Sequence, residues 1–390
     1  MSAPLIVLAP DSFKGSLDAP AVCAALEAGL RRVWPDAHLR RCPMADGGEG
    51  TLDAVLAASG SDGARASLTV RGAGGVPVEA GYGVLGGKVA VLEVAQVVAI
   101  TDPAAMRVAV GERDTRGVGE LIRALFDRGL RRFMIGLGGS STNDGGAGML
   151  TALGMRLLDA AGQPVPPTPA GLARIAAVDA GGLDPRLAAS SITIMSDVNN
   201  PLCGERGATA IFGPQKGVAA DAVAGFDTGI ANFAALAEAA TGVRAASRPG
   251  AGAAGGLGFA LQLVGGEFRS GAAVVADLIG LDRALAGADW ALTGEGRSDA
   301  QTLLAKAPFV VAQRARAAGV PTTLVSGAVD PASLAALGDH FAGAFGIAPG
   351  PMTLADCIAD AGSLLADRAA ELARVFAAAR QTSPRESGSS

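Results

Sequence analysis

Five polar, glycine-bearing segments punctuate this 390-residue chain, and each follows a run that reads as a strand. They are APDSFKGSL (9 to 17), MADGGEGT (44 to 51), LGGSSTNDGG (137 to 146), SDVNNPLCGERGA (196 to 208) and TGEGRSDAQT (293 to 302). In open α/β sheets, ligands bind in the crevice outside the carboxyl ends of the strands, so segments of this kind are expected to converge there. One such segment alone is an ordinary turn or helix cap, because Gly, Asp, Ser and Asn dominate both for local reasons. Five of them are harder to read as turns only, since a turn does not require a carboxylate.

Hydrophobic periodicity around these segments points to an α/β chain. Leu5 to Ala9 is a short apolar run ended by Pro10, and Leu17, Val22, Ala25, Leu26 and Leu30 then recur at helical spacing. Residues 37 to 43 read as a second strand and 45 to 58 as a loop opening a helix. From about 67 to 95 the period becomes two, interrupted by glycine pairs, which predicts antiparallel hairpins. A helix over 117 to 129, strands at RRFMIGLGG and SITIMSD, and a long helix over 218 to 241 follow. ADWALTGEGR, PTTLVSGAVD and FAGAFGIAP then return as strands alternating with helices at 300 to 318 and 354 to 379. Strand and helix alternation at both ends implies one parallel-sheet domain split by an insertion, with residues 1–65 plus 288–380 around an inserted domain at 66–287. The tail, 381–390, is polar and reads as disordered.

Composition removes several classes of function. A formal net charge of -5 with no basic run argues against nucleic acid. Cys23, Cys42, Cys203 and Cys357 are far apart with no CxxC pair, so neither a zinc site nor a disulfide framework is expected, and a reducing cytoplasm fits. The start of the chain has no basic region ahead of its short apolar run, so no signal peptide is expected. The uncharged stretch PGAGAAGGLGFALQLVGG carries seven glycines and reads as a loop entering a helix, not as a membrane span. His38 and His340 are the only histidines, which makes histidine triads and histidine-ligated metals improbable.

The segment at 136 to 150 is the best candidate for a phosphate cradle. Its glycines let the backbone N–H groups of Gly138, Gly139, Ser140 and Ser141 approach an oxyanion, and a following helix adds its positive end. Asp144 is expected to cap that helix. No GxxxxGK[ST] motif occurs, and Gly250, Gly252 and Gly255 satisfy GxGxxG only after SRP, where a dinucleotide fingerprint needs a strand. The remaining inventory is Asp11, Lys14, Asp46, Glu49, Asp144, Asp197, Lys216, Glu295, Arg297 and Asp299. Phosphoryl transfer uses such a kit, because its transition state is stabilised by positioning and by cations, with a carboxylate to accept the acceptor hydroxyl's proton. Mg²⁺ takes one or two carboxylates with phosphate oxygens.

At these residues the chain resembles the bacterial glycerate kinase family, of the glycerate 2-kinase type. APDSFKGSL, ADGGEGT, GLGGSSTNDGGAGML, DVNNPLCGERGA with FGPQKG, PGAGAAGGLG and TGEGRSDAQT occur in that order over nearly the whole sequence. The resemblance implies ATP- and Mg²⁺-dependent phosphorylation of D-glycerate to 2-phosphoglycerate. It also implies a discontinuous flavodoxin-like (Rossmann-like) domain, an inserted α/β domain with a restriction-endonuclease-like core, and an interdomain cleft. Carried over by position, Asp197 is the expected base and Lys14 a cation on the transferring phosphate or the substrate carboxylate. Asp11, Ser12, Arg297 and Asp299 are expected at the substrate, and Gly138, Gly139, Ser140, Ser141, Thr142 and Asn143 at the nucleotide phosphates. Asp46, Glu49 and Glu295 are the expected metal ligands. The implied partners are glycerate and ATP, with no nucleic acid and no membrane; a homo-oligomer is allowed.

Two positions depart from the family pattern. Ala305-Lys306 stands where Gly-Lys is usual, and Asp114-Thr115-Arg116-Gly117 where Thr-Ser-Tyr-Gly is usual. Two rival readings remain open. A kinase of the galactokinase and homoserine kinase superfamily accounts only for 137 to 141, and a non-catalytic ligand-binding relative must explain why Asp197, Lys14 and Asp299 are retained.

Overall fold

The computed structural model describes residues 3–48, 50–304 and 306–382. The chain divides into two compact units, Met1–Ala45 with Val275–Ser390, and Asp46–Val274.

The first unit is built on five strands hydrogen-bonded in the order Gly343–Gly346, Thr322–Ser326, Trp290–Thr293, Leu5–Leu8 and His38–Arg41. Every neighbouring pair is parallel. Counted along the chain this is the order 2-1-3-4-5, the flavodoxin-like arrangement. Ile6, Val7 and Leu8 are fully buried, as a central parallel strand requires. His38–Arg41 is polar because it is an edge strand, where charge discourages further pairing. The helix Ala19–Arg31 begins at Asp18, whose carboxylate accepts from the Ala21 N–H at 2.7 Å. Its buried Val22, Leu26 and Leu30 face Leu365, Ala369 and the sheet residues Ile6 and Leu292. Against the helix Ala361–Thr382 it packs so closely that a Cβ on Gly29 would lie 2.0 Å from the Ala366 carbonyl oxygen. Truncating Leu26 to alanine would cost about 2–5 kcal/mol of this packing.

The second unit carries a six-stranded mixed sheet in the order Glu267–Arg269, Ser191–Met195, Arg132–Gly136, Val89–Glu93, Pro77–Leu85 and Gly63–Arg71. The first four run parallel, and the last two form the antiparallel hairpins expected from the period of two. The helix Arg116–Asp127 buries Val118, Leu121, Ile122, Leu125 and Phe126, and Phe126 meets Phe133 edge to face at 5.3 Å.

The two boundaries fall earlier than 65/66 and 287/288. The helix Thr51–Ser59 belongs to the second unit because the Glu93 carboxylate accepts from the Leu52 N–H at 2.7 Å and Leu52 packs on the strand Pro77–Leu85 at Gly83. At the other end, Asp277 and Asp282 both pair with Arg314 on the helix Ala307–Ala317, which ties the segment after Val274 to the first unit. The helix Ala361–Thr382 runs two residues past 380, and 383–390 lie outside the described residues. Among the described residues no helix is long and apolar enough to cross a membrane, and PGAGAAGGLG does enter the helix Leu257–Leu263.

Candidate active site

In the second unit, the segments after three parallel strands gather at the carboxyl edge of the sheet. Gly136 ends its strand beneath the 46–48 loop, where a Cβ on Gly136 would lie 2.4 Å from the Gly47 carbonyl oxygen and one on Gly47 2.9 Å from Met195 Cβ. Asp46 turns that loop by accepting from the Gly48 N–H at 3.0 Å, and the half-buried Asp197 follows the strand Ser191–Met195.

Gly138, Gly139 and Ser140 line a cavity of about 310 Å³ together with Lys216, Gln215 and apolar walls that include Leu137 and Phe212. Gly139 adopts a φ of +74°, a left-handed conformation that a residue with a Cβ resists. Ser141, Thr142 and Asn143 are fully buried behind the cavity. The Ser141 N–H and hydroxyl both donate to the Val98 carbonyl, at 2.8 and 3.0 Å, and the Asn143 amide donates to Thr209 Oγ1 at 3.0 Å. The loop is therefore stitched down on one side and open at Gly138–Ser140.

The N-cap of the helix Ala147–Ala152 is Gly146, not Asp144, which instead supports the helix start from two residues earlier. The Asp144 carboxylate accepts from the N–H groups of Gly146 and Gly148, each at 3.0 Å, and from the Thr115 N–H and hydroxyl at 2.9 and 2.7 Å. Burial pushes it up to about 6, although the Thr115 hydrogen bond pulls the other way. On the other side of the loop the Lys216 amine donates to Ser140 Oγ at 3.0 Å and to the Thr142 carbonyl at 2.8 Å. Burial pushes that amine down to about 7, with Asp144 opposing and Arg113 assisting.

Two functional features escape sequence reasoning here. Arg113 is 2% exposed and donates to the carbonyls of Val108 at 2.8 Å and of Ser141 and Lys216 at 3.0 Å each, so it braces the glycine-serine loop and the FGPQKG turn together. Nothing in its local sequence signals this. The second is the segment 253–256, where a Cβ on Gly255 would lie 2.0 Å from the Thr142 carbonyl oxygen and one on Gly256 2.4 Å from Gly145 Cα. The glycines of GAAGG are there for backbone against backbone. The Arg116 departure is satisfied locally, its Nη2 and Nε both donating to Oδ2 of the buried Asp114, at 2.6 and 2.9 Å.

In the first unit, the segments after the adjacent strands Leu5–Leu8 and Trp290–Thr293 meet at the point where strand order reverses. The Asp11 N–H donates to the Gly294 carbonyl at 2.8 Å, and Thr293 Oγ1 donates to the Ala9 carbonyl at 2.8 Å. Gly294 approaches the next strand so closely that a Cβ would lie 1.7 Å from the Val325 carbonyl oxygen. This brings Asp11, Ser12 and Lys14 beside Glu295, Arg297 and Asp299, with Lys14 and Arg297 exposed. Asp299 caps the turn Ala300–Leu303 by accepting from the Gln301 N–H at 2.8 Å, and Arg297 stands 4.0 Å from it. Glu295 is 8% exposed and accepts from Thr302 at 2.6 Å and Ser298 at 3.2 Å, with Lys306 at 3.8 Å. Burial raises its carboxyl above the usual range, against these partners. Among the described residues no three His, Cys, Asp or Glu side chains form a preformed metal cluster. Glu49 and Ala305 lie outside the described residues.

Loops rich in glycine, hydroxyls and charge at the carboxyl ends of two parallel sheets define an α/β protein that binds small ligands at those ends. The comparisons with known proteins show its family. Residues 6–377 match the model of the Glycerate kinase family, and the chain belongs to that family. It is 40% identical to a glycerate kinase of Bacillus subtilis over 375 residues, covering 94% of this chain and 96% of that one. It is 40% identical to a glycerate 2-kinase of Escherichia coli K12 over 326 residues, 83% of this chain and 85% of that one. A crystal structure of a candidate glycerate kinase 2 from Salmonella typhimurium LT2 superposes with a TM-score of 0.82 at 38% identity, covering 97% of this chain and all of that one.

Proposed function

We propose that this protein is an ATP-dependent kinase that phosphorylates D-glycerate on its 2-hydroxyl, giving 2-phosphoglycerate and ADP. The observation that carries this reading is the cavity lined by the Gly138–Ser140 turn and Lys216, whose amine donates to Ser140 Oγ. Backbone amides and an ammonium in a site partly shielded from water suit a polyphosphate, because electrostatic contacts strengthen as water is excluded. Ser141, Thr142 and Asn143 support that turn from behind instead of touching the nucleotide.

Asp197 is the proposed base. Its role is to accept the proton of the attacking hydroxyl, which is the one covalent duty phosphoryl transfer asks of a side chain. Lys14 and Arg297 are exposed cations suited to the substrate carboxylate, with Asp11, Ser12 and Asp299 around them. Arg297 presents a planar fork that matches a carboxylate in bidentate fashion.

Mg²⁺ fits the donors present. It is a hard cation that keeps several waters and needs only one or two carboxylates beside the phosphate oxygens, so it suits a site even where the described residues form no closed acidic cluster. Among the described residues, Asp46 and Glu295 are the carboxylates proposed to hold it; Asp46 also accepts from the Gly48 N–H, and Glu295 from Ser298 and Thr302. When bound, Mg²⁺ neutralises charge on the phosphates. Unpaired Cys23, Cys42, Cys203 and Cys357 are in keeping with a cytoplasmic enzyme.

The test is a panel of acceptors. Purified protein with ATP and Mg²⁺ is expected to consume ATP with D-glycerate and to leave it untouched with galactose or homoserine. Turnover with either of the latter alone would assign the rival kinase class, and nucleotide binding with no turnover on any acceptor would assign the non-catalytic one.

A further inference from the structure

The geometry points to Lys216 as the cation that meets the donor nucleotide's phosphate in the cavity beside Ser140, an assignment that rests on the kinase reading above. Lys216 belongs to the turn Pro214–Lys216, which Gly217 closes with a φ of +91°. The residue is 2% exposed and is among those that line the cavity. An ammonium has three donors. Two of them go to Ser140 Oγ and the Thr142 carbonyl, both neutral groups.

The charges around it do not balance. Asp144 is the carboxylate that acts on Lys216, but it is already shared among four N–H and O–H donors on the far side of the loop. Arg113, the other buried cation that acts on Lys216, donates to backbone carbonyls, not to an acid. Asp114, which acts on Asp144, is paired with Arg116. With Lys216 protonated, two buried cations would share one buried carboxylate beside the cavity, and the amine gives up its proton more readily as a result. A buried charge without a counter-ion is costly, and an arriving phosphate removes that cost. An amine held down near 7 by burial then recovers its proton when the anion arrives.

A purely structural lysine would also hold Ser140 and Thr142 in place, so the test separates ligand charge from loop geometry. ADP and adenosine are titrated calorimetrically into the full-length wild type, Lys216→Met and Lys216→Arg, at about pH 8 in two buffers of different ionisation enthalpy. Lys216→Met is expected to weaken ADP about 10- to 100-fold while leaving adenosine within about twofold, and Lys216→Arg to restore part of the loss. The wild type is expected to take up a proton with ADP and none with adenosine. Unchanged ADP affinity in Lys216→Met, or equal losses for ADP and adenosine, overturns the assignment. Absent proton uptake in the wild type also overturns it, and that measurement needs no variant to fold. A wild type that binds neither ADP nor ATP ends the kinase reading itself, and Lys216 falls with it.

Discussion

Gly255 stands so close to Thr142 that a Cβ on it would lie 2.0 Å from the Thr142 carbonyl oxygen and 2.9 Å from Asn143 Cα. The same residue has a φ of +69°, and its carbonyl accepts from the Gly145 N–H at 2.9 Å. Gly255→Ala therefore carries both backbone strain and a collision with the phosphate-loop backbone. Gly242 is the control, since its φ is +73° and a Cβ there would meet nothing within 4 Å. Gly242→Ala should cost about 1–2 kcal/mol from conformation alone, and Gly255→Ala clearly more. Urea denaturation of both variants measures the difference, and ADP binding should weaken only for Gly255→Ala.

Arg113 is predicted to be irreplaceable by lysine. Its guanidinium reaches the Val108, Ser141 and Lys216 carbonyls at once, whereas a lysine amine is a point charge on a flexible stem. Each carbonyl left buried without a partner costs about 1–3 kcal/mol. Thermal unfolding of Arg113→Lys should show a marked loss of stability, with weaker ADP binding as the loop loosens.

Stability should rise with pH in a window set by Lys216. The amine titrates near 7 in the folded chain against 10.5 when exposed, so between those values the unfolded chain holds a proton that the folded chain lacks. The gain approaches about 1.4 kcal/mol per pH unit in that window and is lost as pH falls through about 7. Asp144, pushed up from 3.8 to about 6, acts in the lower window, where its contribution is lost as pH rises through about 6. Urea midpoints compared at about pH 7, 8 and 9 should show a slope for the wild type that Lys216→Met removes.

Asp197→Asn is expected to lower turnover by about a hundredfold or more while nucleotide binding stays near wild type, because losing a general base typically costs about 10²–10⁴ in rate. Steady-state rates beside an ADP titration check this. Wild-type turnover would remove Asp197 from the base role.

Much of the architecture was legible because local chemistry and global fold agree. Pro10 ends a buried strand, glycine pairs mark the hairpins of 63 to 93, and Asp144 precedes a glycine-rich helix start and accepts from its Gly146 and Gly148 N–H groups. Where context overrides local pattern, the reading drifts. The helix Thr51–Ser59 repeats the strand, loop and helix rhythm of the first unit, yet Glu93, over forty positions away, fixes it in the second. Ser141 and Ser140 are indistinguishable as letters, but one hydroxyl is committed to Val98 and the other lines the cavity. The bracing by Arg113 and the contact at Gly255 depend on separations that only the folded chain defines.

The most direct measurement couples the full-length protein, D-glycerate, ATP and Mg²⁺ to enolase with no phosphoglycerate mutase present. Immediate formation of phosphoenolpyruvate is the predicted result, because enolase accepts the 2-phosphate. Signal that appears only once the mutase is added, or no glycerate-dependent consumption of ATP, would contradict the account.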